Sequence, residues 1–370
     1  MKHCILYFVV VILLTGCAAS SSTKEFFNSG WEFALSDVPF EGTDTLNNWE
    51  PVMLPHTPVI SPKVMQGQWQ GICWYRKSFH LPASAKNQRL ILRFEGAMNA
   101  SDFWVNGQKV KSHLGGYLPV VFDFTEVAKI DGENTLLVRL DNNDNPITGP
   151  KPMSILDFNM HGGLYRDAFL IRENALHITD PILANNVAGG GVFVTYPLVE
   201  KEKATIKIQT HVNNQGKKSQ SFILIHELWD HDKLVISHPS EKIRLNSFGL
   251  ETHTATFDLD NPKLWSPQSP SLYTLKTKVV SNGRVTDSEE TRMGIRRIEI
   301  QQGSFRINGE EMFLRGVNRH QEYPYIGYAL GNEAQYRDAY KIKSAGFDYI
   351  RLSHYPQSPA FMDACDELGL

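Results

Sequence analysis

Two stretches late in the sequence place a histidine after a short run with strand-like composition. The first reads Val317-Asn318-Arg319-His320, and the second reads Ile350-Arg351-Leu352-Ser353-His354. A neutral imidazole both donates and accepts hydrogen bonds, and a guanidinium offers a charged fork of donors. Placed side by side, the two stretches would form a polar site for a substrate.

The segments around these stretches predict two strands, each followed by a helix. Phe305–Val317 reads as a hairpin that ends in a strand, and Phe347–Ser353 reads as a second strand. Apolar and small residues at helical spacing predict helices over Asn332–Ala345, with its first residue as the N-cap, and over Pro359–Leu368. This order is that of the opening units of a (β/α)8 barrel.

Side chains at the carboxyl ends of barrel strands face the mouth where such barrels hold their active sites. We therefore predict that His320, Arg351 and His354 converge on one pocket from neighbouring strands. The alternative is that each histidine only caps its own strand. The matching position of the two histidines favours the shared pocket.

A third stretch, Asp157–Asp167, contains the pair Gly162-Gly163 among polar residues. Such a pair suits a tight loop that presents side chains. Taken alone, the stretch is equally compatible with a plain connecting loop.

The rest of the chain predicts two β-rich blocks. Short alternating apolar runs separated by turn signals extend from Phe26 to about Arg172 and again from about Ala175 to Arg296. Asn-Gly within Val105–Val110 is a strong two-residue hairpin signal, because the turn needs positive φ twice. We predict a jelly-roll sandwich for the first block and an immunoglobulin-like sandwich for the second.

The N-terminus predicts export. Met1–Leu14 has one lysine before a run of ten apolar residues, too short for a membrane span but typical of a secretory signal. Leu14-Thr15-Gly16-Cys17 resembles the bacterial lipoprotein box, in which the cysteine is lipidated. We expect a membrane-anchored lipoprotein on the periplasmic or outer side of a bacterium; an ordinary cleaved signal peptide is the alternative.

Composition excludes several other classes. Of the 370 residues, 42% are apolar and 21% charged, which excludes wholesale disorder. The formal net charge of -3 and the lack of basic runs exclude a nucleic-acid partner. Four cysteines are too few for a dense disulfide framework, and we expect Cys73 and Cys365 to be two buried thiols rather than a bridge or a metal pair.

Together these motifs carry a family resemblance. Trp74–Lys77, Gly162–Asp167, Leu314–His320 and Ile350–Gly369 resemble, in order and spacing, the N-terminal part of glycoside hydrolase family 2, and the last two look like its β-galactosidase branch. The resemblance implies a multidomain, mostly β protein. Its predicted parts are a signal peptide over 1–17, a galactose-binding-like jelly roll over 24–174, an immunoglobulin-like sandwich over 175–296 and the start of a TIM barrel over 297–370.

The resemblance also implies roles for individual residues. His320 and His354 are similar to the barrel histidines that hold hydroxyls of the non-reducing sugar, and such bonds can strengthen in the transition state. Asp167 is similar to a loop aspartate that the first domain lends to the sugar site. Arg351 is similar to the arginine that supports the nucleophilic carboxylate, and Asn318 supports the end of the first barrel strand.

The family is retaining and uses two glutamates ~5–5.5 Å apart as acid/base and nucleophile. Both are expected on later barrel strands, so no catalytic residue is assigned in this sequence. In such enzymes an Asn-Glu pair marks the acid/base. Gly331-Asn332-Glu333 contains such a pair, but we interpret Glu333 as a residue at the start of a helix, where it opposes the helix dipole. No cofactor or metal ligand is assigned, although a divalent metal is compatible with the family.

We therefore expect the truncated N-terminal portion of an exo-β-glycosidase that acts on non-reducing ends of oligosaccharides, first of all a β-galactosidase. The 370 residues alone are expected to be inactive. A β-glucuronidase of the same family is the second choice. The alternative from another class is a non-catalytic carbohydrate-binding surface lipoprotein.

Overall fold

The computed structural model of the chain describes residues 22–60, 68–148 and 155–370. The predicted signal segment and the lipidation site Cys17 lie outside these residues. The described part is mostly β and consists of two β-sandwiches followed by two βα units, which confirms the predicted fold class. No helix in this part is long and apolar enough to cross a membrane.

The first sandwich contains a four-stranded sheet of order β1-β10-β5-β8 and a six-stranded sheet of order β3-β2-β4-β9-β6-β7. Apolar residues of the central strands enter the core between the sheets, where large aromatic side chains such as Trp31, Phe94 and Phe103 are buried. The strands are β1 Thr23–Phe26, β2 Trp31–Leu35, β3 Glu50–Val52, β4 Ile72–Leu81, β5 Arg89–Phe94, β6 Ala100–Val105, β7 Gln108–Leu114, β8 Val120–Asp123, β9 Gly132–Asp141 and β10 Ala168–Glu173.

The predicted Asn-Gly hairpin joins β6 to β7. Asn106 and Gly107 have φ values of 50° and 81°, and Val105 pairs with Gln108 across the turn. Both turn residues therefore occupy the left-handed region that this turn requires.

The second sandwich lies between the first sandwich and the βα units in the sequence. In one sheet β13 pairs with β11, β12 and β17, and in the other the order is β15-β14-β18-β19 with β16 beside β14. The Pro-rich stretch 261–270 crosses from the sheet of β17 to the sheet of β18. The elements are β11 Leu176–Ile178, α1 Pro181–Ala184, β12 Val192–Val199, β13 Lys203–Asn214, β14 Gln220–Asp230, β15 Lys233–Pro239, β16 Ile243–Leu245, β17 Gly249–Asp260, β18 Tyr273–Ser281 and β19 Arg284–Met293.

The last unit begins with an antiparallel sheet and continues with a parallel pair. Strands β23 and β24 are parallel, with Asn318 opposite Arg351 in the register. Helices α2 and α3 cover one face of this pair through a small apolar core around Phe361. The elements are β20 Ile298–Gln301, β21 Ser304–Ile307, β22 Glu310–Glu311, β23 Gly316–Arg319, α2 Asn332–Ser344, β24 Tyr349–Leu352 and α3 Pro359–Leu368.

The N-cap of α2 differs from the prediction. Gly331 is the N-cap, with an extended backbone at φ -67° and ψ 162°, and Asn332 is already the first helical residue. The Asn332 amide instead donates a hydrogen bond to Asp167 of the first sandwich at 3.0 Å. A side chain used in this tertiary contact does not cap its own helix.

The two cysteines among the described residues are unpaired, as predicted. Cys73 is buried in β4, and Cys365 is partly buried in α3. Burial raises the pKa of the Cys73 thiol and raises that of Cys365 to about 12. Both thiols are therefore protonated and unreactive near neutral pH.

Candidate functional site

The two histidines meet at the carboxyl ends of the parallel strands. His320 directly follows β23, and His354 follows β24 by two residues. Their ring centroids are 5.5 Å apart and the rings are nearly perpendicular, at 82°. The structure therefore brings together the pair that the sequence singled out, while their binding role remains a prediction.

The electrostatic surroundings keep His320 neutral near pH 7. Burial lowers the pKa of His320, and the neighbouring His354 lowers it further, while Asp157 and Glu322 oppose the shift. A neutral imidazole has one donor and one acceptor nitrogen, which suits a hydroxyl group on a ligand.

An aromatic wall from the first sandwich closes one side of the pair. The ring of Phe158 lies 5.3 Å from that of His320 and 5.9 Å from that of His354. On the barrel side, the Tyr355 hydroxyl accepts the Gln321 backbone N–H at 3.2 Å and lies 3.5 Å from Nδ1 of His320. The site is thus formed by two units of the chain together.

A cleft of about 690 Å³ opens beside His354. Its walls are mainly apolar and come from the 113–118 and 155–160 segments of the first sandwich and from residues 354–356. Among the described residues that line it, Asp157 carries a negative charge and no lysine or arginine is present.

Asp157 is a site residue that the sequence reading missed. It lies in the same loop as the predicted Asp167, lines the cleft with His354, and acts electrostatically on His320. Its signal in the sequence was its place at the far end of the Gly-Gly loop. The spacing alone does not tell which end of that loop reaches the histidines.

Asp167 is not among the described residues that line this cleft, and its sugar-binding role stays a prediction. Its carboxylate accepts hydrogen bonds from the amides of Asn28 at 2.8 Å and Asn332 at 3.0 Å. The reason is local, because Asp167 directly precedes β10 and its backbone oxygen accepts from the N–H of Glu95. Sheet pairing thereby holds Asp167 at the contact between the first sandwich and α2.

Arg351 and Asn318 lie together on the strand face opposite the helices. Both side chains are exposed, and Nη1 of Arg351 lies 3.5 Å from Oδ1 of Asn318. In a (β/α)8 barrel the helices cover the outer face, so this face is the barrel interior. Their supporting roles remain predictions.

Comparison with known protein families shows the family to which the chain belongs. The sugar binding domain of glycosyl hydrolases family 2 matches residues 51–174, a second domain of that family matches 187–296, and its TIM barrel domain matches 298–370. The chain belongs to glycoside hydrolase family 2.

Relatives in this family carry two different names. A β-galactosidase of Thermoanaerobacter pseudethanolicus is 32% identical over 93% of this chain, and a β-glucuronidase of Formosa agariphila is 28% identical over 95%. The crystal structure of Bacteroides uniformis β-glucuronidase matches 95% of this chain with a TM-score of 0.85 at 28% identity. The chain spans 45%, 38% and 41% of these three proteins, less than half of each.

A second carboxylate near the histidines was also missed by the sequence reading. Glu322 accepts hydrogen bonds from Asn159 at 2.7 Å and from Nε2 of His161 at 3.0 Å, so the first sandwich holds it. The bond to His161 lowers the pKa of Glu322 below its ordinary value of 4.5, and the bond to Asn159 adds to the shift. Glu322 is therefore ionised near neutral pH.

This contact predicts an acid-sensitive attachment between the first sandwich and the barrel strands. Because the folded-state pKa of Glu322 is lowered, its stabilisation is complete well above pH 4.5 and is lost as pH falls through the folded-state pKa. We expect Glu322→Gln to lower the free energy of unfolding by about 1 kcal/mol at pH 7 and to make little difference at pH 3.

Urea unfolding of wild type and of Glu322→Gln between pH 7 and pH 3 checks this expectation. Glu333→Gln is the matched control, because Glu333 is exposed in the first turn of α2. A wild-type advantage over Glu322→Gln that persists unchanged at pH 3 would contradict the assignment.

No cluster of three His, Cys, Asp or Glu side chains among the described residues forms a metal site. Glu333 lies at the start of α2 rather than at a strand end, as the sequence predicted.

Proposed function

We propose that the protein acts as a retaining exo-β-glycosidase, and that its preferred substrates carry a terminal β-D-galactosyl group. The observation that supports this proposal is the contact between His320 and His354 at the barrel strand ends, where His354 lines a cleft shared with the first sandwich. A neutral imidazole donates one hydrogen bond and accepts another. Two such rings side by side suit a sugar, which presents several hydroxyl groups to its site.

In the proposed reaction the histidines bind hydroxyls of the terminal sugar and hold its ring against Phe158. Hydrogen bonds to these hydroxyls strengthen as the ring gains oxocarbenium character. Arg351 donates to the nucleophilic carboxylate and keeps it ionised. One glutamate attacks the anomeric carbon and a second protonates the departing oxygen; neither is assigned among residues 1–370. Water then releases the sugar with retention.

The charge of the cleft favours a neutral sugar over a uronate. Asp157 lines the cleft beside His354. A uronate carboxylate beside Asp157 would experience like-charge repulsion in a partly desolvated site. The glucuronidase alternative rests on the names of relatives such as the Formosa agariphila protein.

The intact protein should be tested with p-nitrophenyl β-D-galactoside and p-nitrophenyl β-D-glucuronide. We expect kcat/KM to be at least a hundredfold higher for the galactoside. A preference for the glucuronide would replace the first candidate with the second. Sugar binding by calorimetry without hydrolysis of either compound would instead indicate the non-catalytic carbohydrate-binding protein.

We also propose that Cys17 is lipidated and that the mature protein is anchored on the outer side of a bacterial membrane. The support is the motif Leu14-Thr15-Gly16-Cys17 after the apolar run. In a bacterial host, radiolabelled palmitate should label the wild-type protein and not Cys17→Ser. Cys73→Ser is the matched control and should stay labelled. Equal labelling of Cys17→Ser and wild type would refute the anchor.

A further inference from the structure

One buried arginine of the first sandwich contacts the segments that follow both site histidines. The guanidinium of Arg166 donates to Oε1 of Gln321 at 3.0 Å and to the backbone oxygen of Pro356 at 2.8 Å. Gln321 is the residue after His320, and Pro356 lies two residues after His354. Arg166 is 5% exposed, so these bonds form away from water.

The same guanidinium is fixed on its own side of the interface. It donates to the backbone oxygens of Tyr117 at 3.1 Å and Glu95 at 3.3 Å, and it lies 5.1 Å from the ring centroid of Tyr165. One planar group therefore joins the core of the first sandwich to both strand-end segments. Its fork geometry permits bonds in two directions that a single ammonium does not match.

The cost of burying the Arg166 guanidinium argues against a purely stabilising role for this residue. Among the described residues, the four hydrogen-bond acceptors of the Arg166 guanidinium are neutral oxygens, not carboxylates. Removing a guanidinium from water is costly when no carboxylate compensates for it. An apolar side chain would fill such a site at lower cost, unless the position of the bonded segments matters.

We infer that Arg166 is a positioning residue for glycoside hydrolysis: through Gln321 and Pro356 it holds His320 and His354 at the spacing that binds the sugar. This inference rests on the proposed function. The first sandwich thus acts on the reaction without providing the group that reacts. Small displacements of binding groups are expensive, because about 1 Å can cost a hundredfold in rate.

The decisive variant is Arg166→Lys, which keeps the charge and loses the fork. We expect kcat/KM for the preferred nitrophenyl glycoside to fall at least tenfold, with most of the loss in kcat. Guanidinium at low millimolar concentration should restore part of kcat in Arg166→Ala and leave its melting temperature unchanged. Unaltered kcat in Arg166→Lys, measured per folded molecule, would overturn the inference.

Arg93→Ala is the matched control for loss of a buried arginine. Arg93 also belongs to the first sandwich, is only 17% exposed, and pairs with Glu95 at 2.7 Å and Asp180 at 2.9 Å. Its ion-pair partners lie on the first and second sandwiches rather than on the barrel segments. We expect Arg93→Ala to lower the melting temperature and to leave kcat/KM within twofold of wild type.

A second measurement needs no hydrolysis and separates this inference from the proposed function. Histidine NMR on the 370-residue chain follows the titration of His320 in wild type and in Arg166→Lys. We expect the variant to move the His320 pKa towards 6.5, because the ring gains access to water. If wild type hydrolyses neither substrate, the proposed function fails. Independently of that result, a His320 titration that is the same in wild type and in Arg166→Lys refutes the positioning role.

Discussion

His354→Ala is expected to lower kcat/KM of the intact protein for its preferred β-glycoside by more than tenfold, and His320→Ala should do the same. Tenfold corresponds to ~1.4 kcal/mol of transition-state binding. The reason is that each imidazole is assigned to sugar hydroxyls whose hydrogen bonds strengthen in the oxocarbenium-like transition state. Steady-state kinetics on each purified variant measures the effect.

The double variant sharpens this expectation. The two rings lie 5.5 Å apart, and groups this close that bind one sugar lose their effects non-additively. We expect His320→Ala/His354→Ala to lose less than the sum of the two single losses. His231→Ala is the control, because this side chain is 88% exposed on the second sandwich and should leave kcat/KM within twofold. Unchanged activity in both single variants would contradict the binding role and favour the alternative that each histidine only caps its own strand.

Arg319→Ala is expected to cost the barrel unit about 3–5 kcal/mol of unfolding free energy. Arg319 is 5% exposed and ends β23, directly before His320. Its guanidinium donates to Asp338 at 2.7 Å and Gln335 at 2.8 Å on α2, and lies 4.0 Å from the ring centroid of Phe361 on α3. Removing it leaves the Asp338 carboxylate partly buried without its counter-charge.

Amide hydrogen exchange in the last unit measures this loss. The Ser353 N–H donates to the backbone oxygen of Arg319 at 3.1 Å and reports on the pairing of β23 with β24. The control is Arg315→Ala, because Arg315 is 64% exposed and forms a surface pair with Asp348 at 3.3 Å. Such surface pairs contribute at most about 1 kcal/mol. Equal exchange in the two variants would contradict the assignment.

Local signals in the sequence predicted much of the fold. The Asn106-Gly107 turn and the helix after Ser358 follow from the conformations that these residues allow, so short-range chemistry decides them. The convergence of His320 and His354 followed from the topology of parallel strands, whose carboxyl ends share one edge. The Asn332 cap was wrong because a tertiary hydrogen bond to Asp167 engages that side chain.

The residues missed at the site depend on contacts between distant segments. Asp157 and Asp167 occupy one loop, and the bond from Glu95 to the backbone oxygen of Asp167 fixes one end of it, while Asp157 lines the cleft beside His354. Glu322 and Arg166 meet their partners across 161 and 155 residues of sequence. No local pattern encodes such pairs, because they arise when two separately folded units pack together.

The most direct test is a crystal structure of the intact protein with the sugar product of its preferred glycoside bound. We predict that Nε2 or Nδ1 of both His320 and His354 lies within about 3.2 Å of a sugar hydroxyl, with Asp157 beside the ring. A sugar bound at the active-site mouth that touches neither histidine would contradict the central claim.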